Sequence, residues 1–344
     1  MKHNLQFAIT LIIFTFCVSH GHAADNIFTD DSPCTEVRLD LYGCTQHVKM
    51  VDQGSTDLCS GYAATSQIDA FRFSHGVTNY DLQTSPLALS SYTHYLIENN
   101  NKYVALETVL KFASAKSYFC PSQALRDLYG HEGLQKYLEK LEEEYRMFKL
   151  LKSNKRSSMS YEITNPLLLD LNISSKDVLG ALKAKNLREY KARLFFAACK
   201  KHPDYSSSVS KYYVQEPGYS KYKTKRDRFL GHASFISNYL RNNTSQPVGI
   251  EYCAAVILDS KATPDPKIKK ECGNHAGLIV GREMRNGKCQ LLIRDTYGSS
   301  CDKYLNLGLM PQKMQKNCQD GRWWIDRDAL LRNMTYASSL EPIK

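Results

Sequence analysis

The pattern of apolar and polar positions changes character along the chain, and each change marks a different kind of element. From Ser60 to Phe73, Ala63, Ala64, Ile68 and Phe71 recur at the spacing of one helix face, and Gly76 ends the run. Two further helices are predicted over 85–97, SPLALSSYTHYLI, and 104–115, VALETVLKFASA. Leu134, Leu138, Leu141, Tyr145 and Phe148 step by four and three, with Glu139, Lys140, Glu142 and Glu143 between them, which predicts one long amphipathic helix. The basic run KSNKRSS follows, Ser174 to Asp177 reads as a capping box before another helix, and 203–228 reads as a polar, tyrosine-rich loop. From about residue 231 a short helix at Phe235–Leu240 gives way to strand-like runs, PVGIEYCAAVIL, HAGLIVG, CQLLIRD and RWWID, separated by charged or Gly-containing turns. Residues 25–50 hold turn formers without a periodic run and read as an extended lead-in.

These patterns predict an α+β protein: a helical lobe over 24–118, a helical insertion over 119–230 and an antiparallel β-rich lobe over 231–344. At 344 residues the chain can bury one large core or two moderate ones, so folding needs neither metal nor disulfide. Lys2, the apolar run Leu5–Val18 and the small residues of SHGHAA predict a secretory signal peptide over 1–23. That run is shorter than the roughly 20 apolar residues of a membrane-spanning helix. The mature chain is therefore expected to be exported, secreted or periplasmic, where disulfides form.

Ten cysteines follow the signal: Cys34, Cys44, Cys59, Cys120, Cys199, Cys253, Cys272, Cys289, Cys301 and Cys318. The close pairs Cys34 with Cys44 and Cys301 with Cys318 are the expected bridges, and an uncommitted Cys59 would leave a second cysteine out of the pairing. No CxxC pair and no HExxH run occurs, so neither a zinc site nor any other cofactor is expected. The formal net charge of +10 is spread along the chain, densest in KYKTKRDR, Lys221–Arg228. Behind an export signal this argues against nucleic acid and for an anionic cell-surface polymer or membrane as partner, a solvated basic loop being the plainer reading.

The chemistry centres on Cys59. A thiol is a good nucleophile near neutral pH only where its thiolate is favoured, and a helix N-terminus together with an imidazolium does that. Cys59 opens a predicted helix. His275 opens the apolar run HAGLIVG, where a strand can hold its ring, and the next strand, CQLLIRD, ends in Asp295, whose carboxylate can orient that ring. His131, His202 and His232 read as surface or loop residues, and Trp323 and Trp324 as core.

Gln53 six residues before Cys59, the helix that Cys59 opens, NHAGLIVG and IRDTYG, in this order, resemble the papain-like cysteine peptidases, and SPLALS resembles the segment after that family's catalytic helix. The resemblance covers roughly 34–118 and 231–330. It implies a two-lobe papain-like fold, peptide or protein substrates, a Cys59–His275–Asp295 triad, and an oxyanion hole donated by the Gln53 side chain and the Cys59 backbone N–H. Departures accompany it. Asp295 stands where the family has Asn, Tyr297 where it has a shielding Trp, Thr56 where it has a disulfide cysteine, Asp57 where it has a cleft glycine, and Ser60 where it has an aromatic residue; NNNKY, 99–103, lacks a Gly-Gly pair. Two other classes stay open: a Cys-dependent acyl-transfer enzyme or amidase, whose Cys and His usually stand closer in sequence, and a noncatalytic binding protein on a peptidase fold. The insertion is expected either to cover the cleft or to buttress the fold remote from it.

Overall fold

The computed structural model describes residues 34–54, 58–96, 104–116, 119–125, 131–153, 171, 173–202, 211–254, 274–301 and 317–343. The expected signal peptide, most of KSNKRSS, Thr56, Asp57 and NNNKY lie outside these residues. The chain divides into two compact units, one of 1–50, 66–81 and 210–344, the other of 51–65 and 82–209.

The first unit is built on an antiparallel sheet. Its strands are β1 (Val37–Arg38), β2 (Tyr212–Gln215), β3 (Val248–Cys253), β4 (Asn274–Arg285), β5 (Lys288–Arg294), β6 (Cys318–Gln319), β7 (Arg322–Asp326) and β8 (Met334–Pro342). The order across the sheet is β2-β8-β3-β4-β5-β7-β6, with β1 added on β4. The β4–β5 hairpin turns through Asn286 and Gly287, both at positive φ (52° and 72°), the backbone that matches the twist of paired strands. Helices α8 (Lys225–Tyr239) and α9 (Arg327–Asn333) contribute Phe235, Ile236, Leu330 and Leu331 to the core on this sheet, beside Ile250, Ile279, Ile293 and Trp323. HAGLIVG, CQLLIRD and RWWID form strands and Trp323 and Trp324 are buried, as the sequence predicts; of PVGIEYCAAVIL, Val248–Cys253 is strand, and 255–258 lie outside the described residues.

The second unit is helical: α3 (Pro86–Leu96), α4 (Leu106–Lys116), α5 (His131–Ser153), α6 (Ser175–Leu182) and α7 (Leu187–Lys201). Tyr92 on α3 lies between Phe112 of α4 and Phe196 of α7, at ring centroid distances of 5.5 and 5.4 Å. Tyr145 of α5 stacks on Tyr190 of α7 and donates to the Ala184 carbonyl (3.0 Å), so the long amphipathic helix spends its apolar face inside the unit. The predicted capping box is present: Ser174 Oγ accepts from the Asp177 N–H, and the Asp177 carboxylate accepts from the Ser174 N–H. A disulfide joins Cys120 to Cys199 at the end of α7.

Four expectations need correction. The lead-in is not merely extended: it holds β1, the short helix α1 (Leu39–Tyr42) and a 3-10 turn at Cys44–His47, because Val37 and Leu39 are buried in the sheet core. The stretch 203–228 is not all loop, since β2 pairs with β8 and α8 begins at Lys225, capped by Thr224 and Asp227, ten residues before the expected start. Cys34 bridges Cys289 rather than Cys44, because β1 lies on β4 and the β4–β5 hairpin carries Cys289 to it. Cys44 instead stays a buried thiol that donates to the Ser245 carbonyl (3.8 Å), while Cys301–Cys318 forms as expected and Cys253 is also disulfide-bonded. Finally, His232 is no surface residue: it is fully buried on the inner face of α8.

Candidate functional site

The predicted residues fall in two groups, one in each unit. In the helical unit, α2 (Cys59–Ser74) starts at Cys59 itself: the Leu58 carbonyl accepts from the N–H groups of Gly61 (3.0 Å) and Tyr62 (3.2 Å), which makes Cys59 the first helical residue. The helix forms because Ala63, Ala64, Ile68 and Phe71 bury one stripe, and Gly61 lets it approach α3, where a Cβ would lie 1.7 Å from Ser90 Oγ. No acidic residue stands in its first turn, so the positive end of the helix dipole at Cys59 is not offset from within. Cys59 is a buried thiol. Just upstream, Gln53 is buried, and the next residue, Gly54, has φ +63° with its N–H donating to Asp52 Oδ1 (2.9 Å). A left-handed residue there turns the chain directly after Gln53 and favours glycine.

In the sheet unit, His275 and Asp295 are brought together. Their ring Nε2 and carboxylate Oδ1 lie 2.6 Å apart, both side chains nearly inaccessible to solvent. Sheet register explains the pairing. A bulge between Ile279 and Gly281 shifts the β4–β5 ladder by one residue, so that Leu278 pairs with Arg294. β5 ends at Arg294, one residue before Asp295, and Leu278 lies three residues after His275.

Around the pair, Tyr297 stacks on the imidazole (5.3 Å, 11° between planes) and Tyr252, opposite His275 on β3, meets it edge-on (5.6 Å). The Thr296 N–H donates to Asp295 Oδ1 (2.6 Å). The other carboxylate oxygen, Oδ2, is buried with no hydrogen-bond partner among the described residues. Arg294, the last residue of β5, is fully buried and donates to the Val48 and Lys49 carbonyls; burial first, and the nearby Arg322 second, push its guanidinium down to about 9. Thr296 and Arg294 escape sequence reading because a backbone donor and a buried arginine leave no spacing signal. Tyr252 had one, its place in a fully buried strand that pairs with the strand of His275. Among the described residues no cluster of His, Cys, Asp and Glu could hold a metal ion, and no helix is long and apolar enough to cross a membrane.

No family model matches this chain, and no curated protein matches it. Two solved structures similar to it are of a protease precursor and of a cysteine protease. One is the digestive procathepsin L 3 of the Tenebrio molitor larval midgut, 10% identical over 96% of this chain and 78% of that one, with a TM-score of 0.44. Another is xylellain, a cysteine protease from Xylella fastidiosa, 14% identical over 95% of this chain and 96% of that one, with a TM-score of 0.46.

Proposed function

We propose that this chain is an exported cysteine peptidase that hydrolyses peptide bonds, with Cys59 as nucleophile, His275 as its acid and base, Asp295 orienting His275, and Gln53 with the Cys59 N–H donating to the oxyanion. The observation that carries the reading is the buried 2.6 Å His275–Asp295 pair, an orienting geometry that a merely structural strand-end histidine does not need. With Nε2 on the carboxylate, proton exchange falls to Nδ1. The Cys59 thiolate attacks the scissile carbonyl, and the carbonyl electron pair moves to an oxyanion held by N–H donors. His275 Nδ1–H then protonates the leaving amine as the C–N bond breaks, leaving a thioester. Neutral His275 takes a proton from water, whose oxygen displaces the thiolate and releases the acid. The cycle balances with no cofactor. The disulfides Cys34–Cys289, Cys120–Cys199 and Cys301–Cys318 support an oxidising compartment, as the expected signal peptide does.

The test is limited alkylation. Iodoacetamide at mildly acidic pH should modify Cys59 ahead of Cys44 and abolish cleavage of a small peptide substrate, and Cys59→Ala should be inactive yet folded. Modification elsewhere with cleavage retained would overturn the reading. If the thiol reacts but an acyl group passes to an amine rather than to water, the chain is an acyl-transfer enzyme instead.

A further inference from the structure

Within Lys221–Arg228 five basic side chains, Lys221, Lys223, Lys225, Arg226 and Arg228, are all exposed. The one acid among them, Asp227, is turned to the backbone, accepting from the N–H groups of Lys223 (3.1 Å) and Thr224 (2.8 Å) to cap α8. Lys221 ends a 3-10 turn, Tyr222 (φ −88°, ψ 107°) and Thr224 (φ −122°, ψ 165°) are extended, and Lys225 opens α8. Tyr222 takes the inner side: a Cβ on Gly231 would lie 2.1 Å from its ring, so the glycine makes room for it. Thr224 is spent on the cap. The five basic side chains are thus exposed within eight consecutive residues that run from the 3-10 turn into the first turn of α8.

This placement works against the helix. Lys225 and Arg226 stand at the positive end of α8, where Asp227 is the one acid of the first turn, and the last turn has no basic residue, the reverse of what the helix dipole favours. Local rules broken in this way mark positions held for something other than stability. We propose that Lys221–Arg228 is a docking strip for a linear acidic polysaccharide carrying sulfate or carboxylate groups. Five exposed cationic side chains within eight residues match charges repeated along one chain, and the guanidinium forks of Arg226 and Arg228 match planar or tetrahedral oxyanions. A lipid surface fits less well, since membrane adhesion needs a broad apolar face beside the charges, and only Leu230 is exposed there, Phe229 packing on the sheet core and Tyr222 lying over Gly231. Single-stranded nucleic acid would use exposed rings as stacking platforms, whereas Tyr219 and Tyr222 pack edge to face on each other (5.9 Å). The strip is independent of the peptidase reading.

The full mature chain is titrated with a fluorescein-labelled heparin oligosaccharide at several NaCl concentrations, followed by anisotropy. The triple variant Lys223→Gln/Lys225→Gln/Arg226→Gln should bind about 10-fold more weakly or worse, with a shallower salt dependence because fewer counterions are released. The charge-matched variant Lys176→Gln/Lys183→Gln/Lys185→Gln, exposed positions in the helical unit, should bind like wild type. Lys223→Glu, which precedes the helix and cannot unfold it, should weaken binding as well. Absence of wild-type binding at low salt, equal loss in the control, or tighter binding of phosphatidylserine vesicles or oligo(dT) than of the polysaccharide would overturn the proposal.

Discussion

His232 gives the sheet unit a specific sensitivity to acid. The ring is fully buried on α8, edge-on to Tyr219 (5.8 Å), and neither nitrogen makes a well-formed hydrogen bond among the described residues. Burial first, and the charge of Arg228 second, push the imidazole down to about 4 from an ordinary 6.5, the Leu331 backbone offsetting a little. The folded state thus refuses a proton that the unfolded chain accepts. Stability is fully present above pH 6.5, falls as pH drops through the window from 6.5 to about 4, and loses nothing further from this group below that. The whole step is worth about 3 kcal/mol, and at pH 5 about 2 kcal/mol of it is already gone. Replacing His232 with Phe keeps a ring against Tyr219 and removes the titration. Urea unfolding at pH 8 and pH 5 should show the wild type losing about 2 kcal/mol more than His232→Phe between the two conditions. Carboxylates that titrate in both proteins cancel in that difference, so equal losses would refute the reasoning.

Asp295→Asn should keep more activity than Asp295→Ala, since an amide oxygen still accepts from His275, and should move the basic limb of the pH–rate profile to lower pH because the carboxylate no longer favours the imidazolium; equal loss with no shift would count against the pair. Gln53→Ala should reduce kcat by about 100-fold with little change in KM if its amide donates to the developing oxyanion, as steady-state kinetics on a peptide ester would show. Gly61→Ala forces a Cβ to within 1.7 Å of Ser90 Oγ and should lower stability by about 1–3 kcal/mol in a denaturant titration, whereas an unchanged midpoint would mean that α2 and α3 can separate freely.

The elements that could be read from the sequence are those whose side chains repeat with one period. The apolar stripe from Ala63 to Phe71 and the apolar runs of β3, β4, β5 and β7 report burial directly, and the Ser174–Asp177 box reports a helix start through its own hydrogen bonds. β8 was hidden because it lies in the sheet interior between β2 and β3, with Ser338 and Ser339 as buried as Ala337, so its polar residues break the apolar run. The start of α8 was hidden by Gly231, which would weaken a helix in isolation and here makes room for Tyr222. Thr224 with Asp227 three residues on did carry a capping signal for it. His275 and Asp295 could be read as a pair because they stand at the ends of neighbouring strands, but the bulge in the ladder between those strands follows from no local pattern. The Cys34–Cys289 bridge depends on β1 lying on β4, a pairing between distant segments, and nearest-neighbour spacing favoured the wrong partner.

The sheet unit is assembled from three separated stretches, 1–50, 66–81 and 210–344, and its Cys34–Cys289 bridge spans 255 residues. For a chain delivered N-terminus first, this sets an order of events. Residues 82–209 can collect their helices and close Cys120–Cys199 while the remainder is still being made. The sheet has to wait for β8, which lies between β2 and β3 and is the last strand of the chain. Until then β1 has no β4 to rest on, and Cys34 meets Cys44 long before Cys289 exists. Slow, non-local closure of this kind leaves strand edges open and thiols unguarded. The yield of native protein should therefore be governed by late disulfide reshuffling, so that an isomerase matters more to this chain than the intrinsic speed of its helices.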